Sequence, residues 1–163
     1  MSDFLKTGYL TKEDIISNFP TIEQISKHAV AISECVQEIP CNPCVSSCPT
    51  GAISMDDIKD PPKINYEACI GCGKCVMVCP GLALFLVRKN DSDYEVTLPY
   101  EMLPLPKKGD EVYLLNRLGE RVGVGLVTKV IKVERDTQSS IVTVSFKEQD
   151  LIYEVRNIEV IHG

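Results

Sequence analysis

The rhythm of hydrophobic and polar positions changes three times along the chain. Over residues 1–28 the apolar side chains Phe4, Leu5, Tyr9, Leu10, Ile15, Ile16 and Phe19 come in short clusters. Thr11 opens a capping-box-like Thr-Lys-Glu-Asp that ends at Asp14, Asn18-Phe19-Pro20 stops that turn, and Thr21 begins another with Ile22 and Ile25. A helical lead-in is expected, packed over the rest of the chain, because so many apolar groups do not suit a free tail. Residues 29–32 and 64–66 then read as two strands on either side of a polar, proline-ended loop at 55–62. Residues 84–87, a polar loop at 88–93 and residues 94–98 read as a strand, a turn and a returning strand.

Prolines at 99, 104 and 106 punctuate a linker over residues 99–106, whose apolar side chains are expected to lie against something. From Lys107 the pattern becomes short alternating runs. Strands are expected at 111–115, at 121–133 with a kink near Gly123 or Gly125, at 141–146 and at 151–161 with a break. Turns fall at 109–110, 118–120 and 136–139. Four or five short strands in this length predict a small, all-β, SH3-like barrel over residues 107–163.

Composition alters this picture only modestly. Apolar residues at 44% and charged residues at 25% are ordinary for a soluble globular protein. The apolar run at 81–87 is far too short to cross a bilayer, and the first residues, Met-Ser-Asp-Phe-Leu-Lys, have no basic region followed by a hydrophobic one. A cytoplasmic protein without membrane insertion is expected. Residues 91–163 carry nine basic against thirteen acidic side chains, which disfavours a nucleic-acid partner.

The chemistry is concentrated in the cysteines. Cys69, Cys72, Cys75 and Cys79, followed by Pro80, are spaced C-x2-C-x2-C-x3-C-P. In such a run three thiolates on a tight loop converge on one iron-sulfur cubane, while the fourth is carried away toward a second. The run therefore predicts a partner. Cys41, Cys44, Cys48 and Pro49 repeat its last four members at a constant offset of 31 residues, and Ala52 and Ile53 fall on Ala83 and Leu84. Cys35 supplies the first member, separated from Cys41 by five residues instead of two. Zinc is the rival reading, since Cys41-x2-Cys44 with Cys72-x2-Cys75 has ribbon-like spacing. It would strand four cysteines and leave both Cys-Pro pairs unexplained. A disulfide framework is disfavoured by the crowding of the cysteines into two runs.

Residues 30–88, with these two runs, resemble the two-[4Fe-4S] ferredoxin-type domain. The resemblance implies two [4Fe-4S] clusters, one held by Cys35, Cys41, Cys44 and the remote Cys79, the other by Cys69, Cys72, Cys75 and the remote Cys48. Gly71 and Gly73 are expected to let the backbone curl so that N–H groups face cluster sulfurs. Ile53, Ile70, Val76, Met77 and Val78 are expected to form an apolar jacket, and Tyr66 either lies over a cluster or belongs to the core. His28 and His162 read as surface histidines. The expected fold class is α+β: a lead-in at 1–28, a ferredoxin-like dicluster domain at 29–98, the linker, and the barrel as a docking domain.

With eight thiolates and two oxidised cores, the net charge of −6 becomes about −10, which favours a partner with a basic docking surface. Two one-electron sites in one small domain make a relay that needs no substrate pocket, and no catalytic residues converge from the sequence. The chain looks like the small dicluster subunits that accompany flavin-dependent dehydrogenases, including amino-acid-oxidising complexes. The expected partners are therefore larger oxidoreductase subunits, a flavoprotein among them. Two alternatives stay open. Loss of Cys35 from the site would leave an open iron on a catalytic subunit, and clusters or zinc could merely staple the fold of a structural or regulatory protein.

Overall fold

The lead-in forms three short helices. The structure, a computed structural model, describes residues 3–133 and 139–162. Helix α1 spans Phe4–Thr7, α2 Lys12–Ile15 and α3 Ile22–Lys27. The amide and hydroxyl of Thr11 donate to Asp14 Oδ2 at 2.7 and 2.8 Å. At α3 the box is reciprocal, Gln24 N donating to Thr21 Oγ1 at 3.2 Å and Thr21 N to Gln24 Oε1 at 2.9 Å. Helices this short do not stand alone in water. They are held by Ile25, which is fully buried, and by the ring of Phe19, 4.7 Å from that of Tyr153. The lead-in thus packs on the C-terminal half of the chain as well as on the cysteine-bearing half.

Strand β1 (Val30–Ser33) leads to helix α4 (Pro43–Ser47), the two-residue strands β2 (Ile53–Ser54) and β3 (Lys63–Ile64), and helix α5 (Lys74–Val78). The remaining strands are β4 (Leu84–Asn90), β5 (Asp93–Tyr100), β6 (Glu111–Leu115), β7 (Arg121–Ile131), β8 (Ser140–Phe146) and β9 (Asn157–Val160). Strands β2 and β3 pair only with each other, and the other seven form one antiparallel sheet in the order β1-β4-β5-β8-β7-β6-β9.

This topology corrects the expected barrel. Among the described residues the ladder is open, with β1 and β9 at its edges. The reason is β5, which pairs with β4 on one side and along seven residues with β8 on the other. Pro99 and Tyr100, expected in the linker, sit inside that ladder. Further on, Met102 and Leu103 point to solvent, Leu103 at 90% exposure, and only Leu105 and Pro106 return to the core. The broken strand expected at 151–161 is a 3₁₀ turn over Gln149–Tyr153 followed by β9. The turn expected at 136–139 lies, except for Ser139, outside the described residues.

The middle of the sheet is covered on both faces, and so β8 is buried at four consecutive positions instead of alternating. On one face, Leu86 and Ile141 lie under Gly73 at the start of α5. On the other, the Tyr94 hydroxyl donates to Gln149 Oε1 at 3.0 Å in the 3₁₀ turn. Val87, Val96, Leu98, Val142 and Val144 are fully buried, each contributing about 1.5–3 kcal/mol. At Gly125 a Cβ would stand 2.8 Å from Leu114 Cδ2 and 2.9 Å from the Ser145 carbonyl oxygen, which requires glycine there, while the irregularities of β7 fall opposite Leu114/Leu115 and between Val127 and Lys129. No helix among the described residues is long and apolar enough to cross a membrane.

Candidate metal centre

The two cysteine runs fold as a matched pair. In each, a short helix separates a buried cysteine from a remote one: α4 begins with Pro43 at its first position and carries Cys44, with Cys48 as its C-cap, while α5 carries Cys75, with Cys79 as its C-cap. Each remote thiol then meets N–H groups of the following loop. Ala83 N donates to Cys79 Sγ at 3.4 Å, and Ala52 N, at the equivalent position 31 residues earlier, hydrogen-bonds Cys48. The internal repeat read from the spacing is therefore a repeat of hydrogen bonding too.

Electrostatics sorts the eight thiols into two groups. Burial pushes the Cys35 thiol up, reinforced by Cys79 and Cys41, and burial pushes Cys44 up, reinforced by Cys79, Cys41 and Cys35. Cys75 is pushed up to about 12 by burial and by Cys69, Cys72 and Cys48. Each group thus draws three cysteines from one run and the remote one from the other. Burial also acts on Cys48, but there the hydrogen bonds from Thr50, Ile53 and Ala52 outweigh it and hold the thiol below its ordinary range. In the second group Ala31 N donates to Cys69 Sγ at 3.3 Å, while Cys72 is exposed.

Both groups have the chemistry of a thiolate cage. All eight thiols are free of disulfides, and among the described residues no three Cys, His, Asp or Glu side chains converge where a single metal ion could sit. Four thiolates in one group suit a cubane, in which each thiolate binds a different iron. N–H donors aimed at sulfur favour the thiolate, the form that ligates metal.

The glycines have a visible packing role. Gly71 has φ +66°, and a Cβ there would stand 2.3 Å from the Ala29 carbonyl oxygen, so only glycine lets this loop lie against β1. Gly73, at φ +79°, is the N-cap of α5 over Ile141. Of the expected jacket, Val76 and Ile53 are buried and Met77 and Val78 half-buried, but Ile70 is 58% exposed. The Tyr66 hydroxyl donates to the Asn18 carbonyl and ties the lead-in to this half. His28, expected at the surface, is half-buried with Nε2 on the Cys69 carbonyl oxygen. His162 is exposed, as expected.

Sequence reading missed a second group. Glu34, next to Cys35, lies in a buried pocket where its Oε1 meets Arg117 Nε and its Oε2 meets Arg156 Nε, each at 2.5 Å. Arg156 also donates to the Ile152 and Val155 carbonyls, and its guanidinium lies 5.1 Å from the Phe85 ring centre. Burial pushes Arg156 below its usual value, against the pull of Glu34. Nothing in the local sequence marks these three residues, and the two arginines lie 83 and 122 positions after Glu34.

On the sheet face beside Gly71, a cavity of about 290 Å³ is lined by Arg88, Glu95, Thr97 and Lys129, among others. It shares Thr128 and Lys129 with a shallower depression that reaches Lys107 and Lys108.

Residues 34–83 match the family described as the 4Fe-4S dicluster domain. The chain is 51% identical over 47 residues to the aliphatic sulfonate oxidoreductase, polyferredoxin-like subunit, of Pyrococcus furiosus, covering 29% of this chain and 27% of that protein. It is 44% identical over 41 residues to the dissimilatory-type sulfite reductase subunit beta of Archaeoglobus fulgidus, covering 25% of this chain and 11% of that one. Over 44 residues it is 41% identical to the NrfC homolog of Haemophilus influenzae, covering 27% and 20%. The chain thus spans about a quarter or less of the lengths of these relatives. No solved structure gives a match. The matched stretch contains all eight cysteines, and the chain is an iron-sulfur protein with a ferredoxin domain for two [4Fe-4S] clusters.

Proposed function

We propose that this chain, built on a dicluster ferredoxin domain, is the electron-transfer subunit of a larger oxidoreductase. Each [4Fe-4S] cluster supplies a site that takes up and returns one electron. Cys35, Cys41, Cys44 and Cys79 hold one cluster, and Cys48, Cys69, Cys72 and Cys75 the other. The observation that carries this reading is the crossed grouping of the thiols. Cys44 and Cys48 stand at the two ends of one helical turn, about 6 Å apart along the axis, yet belong to different groups, as do Cys75 and Cys79. Such short links hold the two redox sites close together.

The chain's own residues keep the sites dry and the thiolates in place. Val76, Ile53 and Leu84 are buried nearby, and the N–H groups of Ala31, Ala52 and Ala83 point at sulfur. The position of Cys35 beside Cys41 and Cys79 supports four protein ligands over an open iron. The relatives named for sulfonate and sulfite chemistry match only over this domain, which supports a relay role with the substrate left to the partner. A flavoprotein suits such a relay, since a flavin can release two electrons singly.

Net charge points to a basic partner, but the cavity beside Gly71 is lined by Arg88 and Lys129 with Glu95, and the adjoining depression adds Lys107 and Lys108. This face fits an acidic patch, and electron exchange across it should slow as salt rises.

The deciding experiment is iron and acid-labile sulfide analysis of anaerobically purified protein, with EPR before and after dithionite. About eight irons and eight sulfides, with a reduced spectrum broadened by coupling between two neighbouring spins, is the expected result. Bound zinc, or about four irons, would overturn the reading.

A further inference from the structure

We infer that Arg117 and Arg156 are positioning residues for the first cluster: through Glu34 they fix the backbone that presents Cys35. This inference rests on the reading of Cys35 as a cluster ligand.

Cys35 is the one cysteine whose place is not set by its neighbours in sequence. In the downstream run Cys69 lies three residues before Cys72, in a loop pressed against β1 at Gly71. Cys35 instead leads into a five-residue excursion before Cys41, in which Val36 and Ile39 are exposed. Such a stretch has conformational freedom that works against holding a thiolate at one iron. Something outside the run has to remove that freedom.

The fastening is visible one residue away. Glu34 N donates to the Ala83 carbonyl at 2.8 Å, and Cys35 N to Ser33 Oγ at 3.2 Å, so the backbone is held from two sides. The Glu34 carboxylate is gripped by both arginines, with side-chain exposures of 10% for Glu34, 10% for Arg117 and 5% for Arg156. Arg117 comes from the turn between β6 and β7, and Arg156 directly precedes β9. The C-terminal half therefore reaches back to the residue beside the irregular ligand.

Energy alone does not account for this arrangement. Two cations share the Glu34 carboxylate, with Glu154 Oε2 no nearer than 3.8 Å to Arg117 Nη1, and Nη2 of Arg117 and of Arg156 are buried with no hydrogen-bond partner among the described residues. A buried ion cluster with unmet donors is a weak stabiliser compared with apolar packing, and its attested use is to fix register. Here the register fixed is that of Cys35.

The test uses the holo protein and four variants: Cys35→Ala, Glu34→Gln, Arg117→Met and Gly125→Ala. Each is treated with ferricyanide, which takes one electron from an oxidised [4Fe-4S] core; one iron then leaves as Fe²⁺ and a [3Fe-4S] core remains. EPR follows the three-iron signal, iron release is counted per chain, and thermal unfolding is recorded alongside. Cys35→Ala defines the three-iron signal of the first cluster; a variant unchanged from wild type would sink the ligand reading itself. Given that, Glu34→Gln and Arg117→Met should lose a single iron from the first cluster about 10–100-fold faster than wild type, with the second cluster unaffected. If Glu34→Gln does not accumulate, Arg117→Met decides, because it leaves the Glu34–Arg156 pair in place. Conversion at the wild-type rate overturns the inference. So does equal acceleration in Gly125→Ala, which destabilises the sheet away from Glu34 and would show that general stability sets the rate.

Discussion

The two cysteine runs do the same work by different means. The downstream run is fastened at its first two cysteines by its own neighbourhood: its spacing is regular, Gly71 docks it on Ala29 and the Ala31 amide reaches Cys69, while Ser139 N and Ile141 meet α5 further on. The upstream run is irregular at its first member and is fastened from afar, by Arg117 and Arg156 acting on Glu34. If Cys35 is a ligand as proposed, tertiary contacts restore a position that the spacing of the motif has lost.

That contrast can be broken at either end. The largest effect is expected from Gly71→Val, which puts a β-branched side chain at a left-handed φ and against a backbone carbonyl. The second cluster should be lost and iron per chain should fall by about half, as counted against protein concentration. Next comes Glu34→Ala, which removes the carboxylate that two buried guanidiniums share and should cost about 3–5 kcal/mol in denaturant unfolding. Its damage to iron content should fall on the first cluster, so the two variants form a pair with opposite selectivity. Should both lose the same cluster, the contrast between the runs is wrong.

Smaller changes sharpen it. Gly125→Ala crowds Leu114 and the Ser145 carbonyl and should cost about 1–3 kcal/mol with both clusters retained, as read by EPR. Tyr66→Phe removes the hydroxyl that donates to Asn18 and should cost about 1 kcal/mol, seen as earlier proteolysis of the lead-in at unchanged iron content.

Legibility in the sequence followed the same division. Cysteine spacing is local, so the two runs and the capping turns at Thr11 and Thr21 could be read directly, and the crossed ligand sets could be expected from them. The turn at 118–120 was also legible: there Asn116 Oδ1 accepts from the Leu118 and Glu120 amides at 2.9 and 3.0 Å. What could not be read was partner choice between distant strands. Residues 94–98 show the alternation of a strand, but nothing in them says that β8, more than 40 residues on, will pair with the free edge. The expected separate barrel became the outer part of one sheet for that reason. Glu34 was invisible because a carboxylate beside a cysteine looks like any solvated charge until two arginines close over it.

The separation of 122 residues between Glu34 and Arg156 also sets a chronology. A chain made from its N-terminus exposes the downstream run, with Gly71 and β1 already present, long before residue 156 exists. The clamp on Glu34 is complete only when Arg156 is present. On the proposed ligand sets, the second cluster's helix α5 is covered once Ser139 and Ile141 reach it, and the first cluster's clamp closes only after Arg156 has been made.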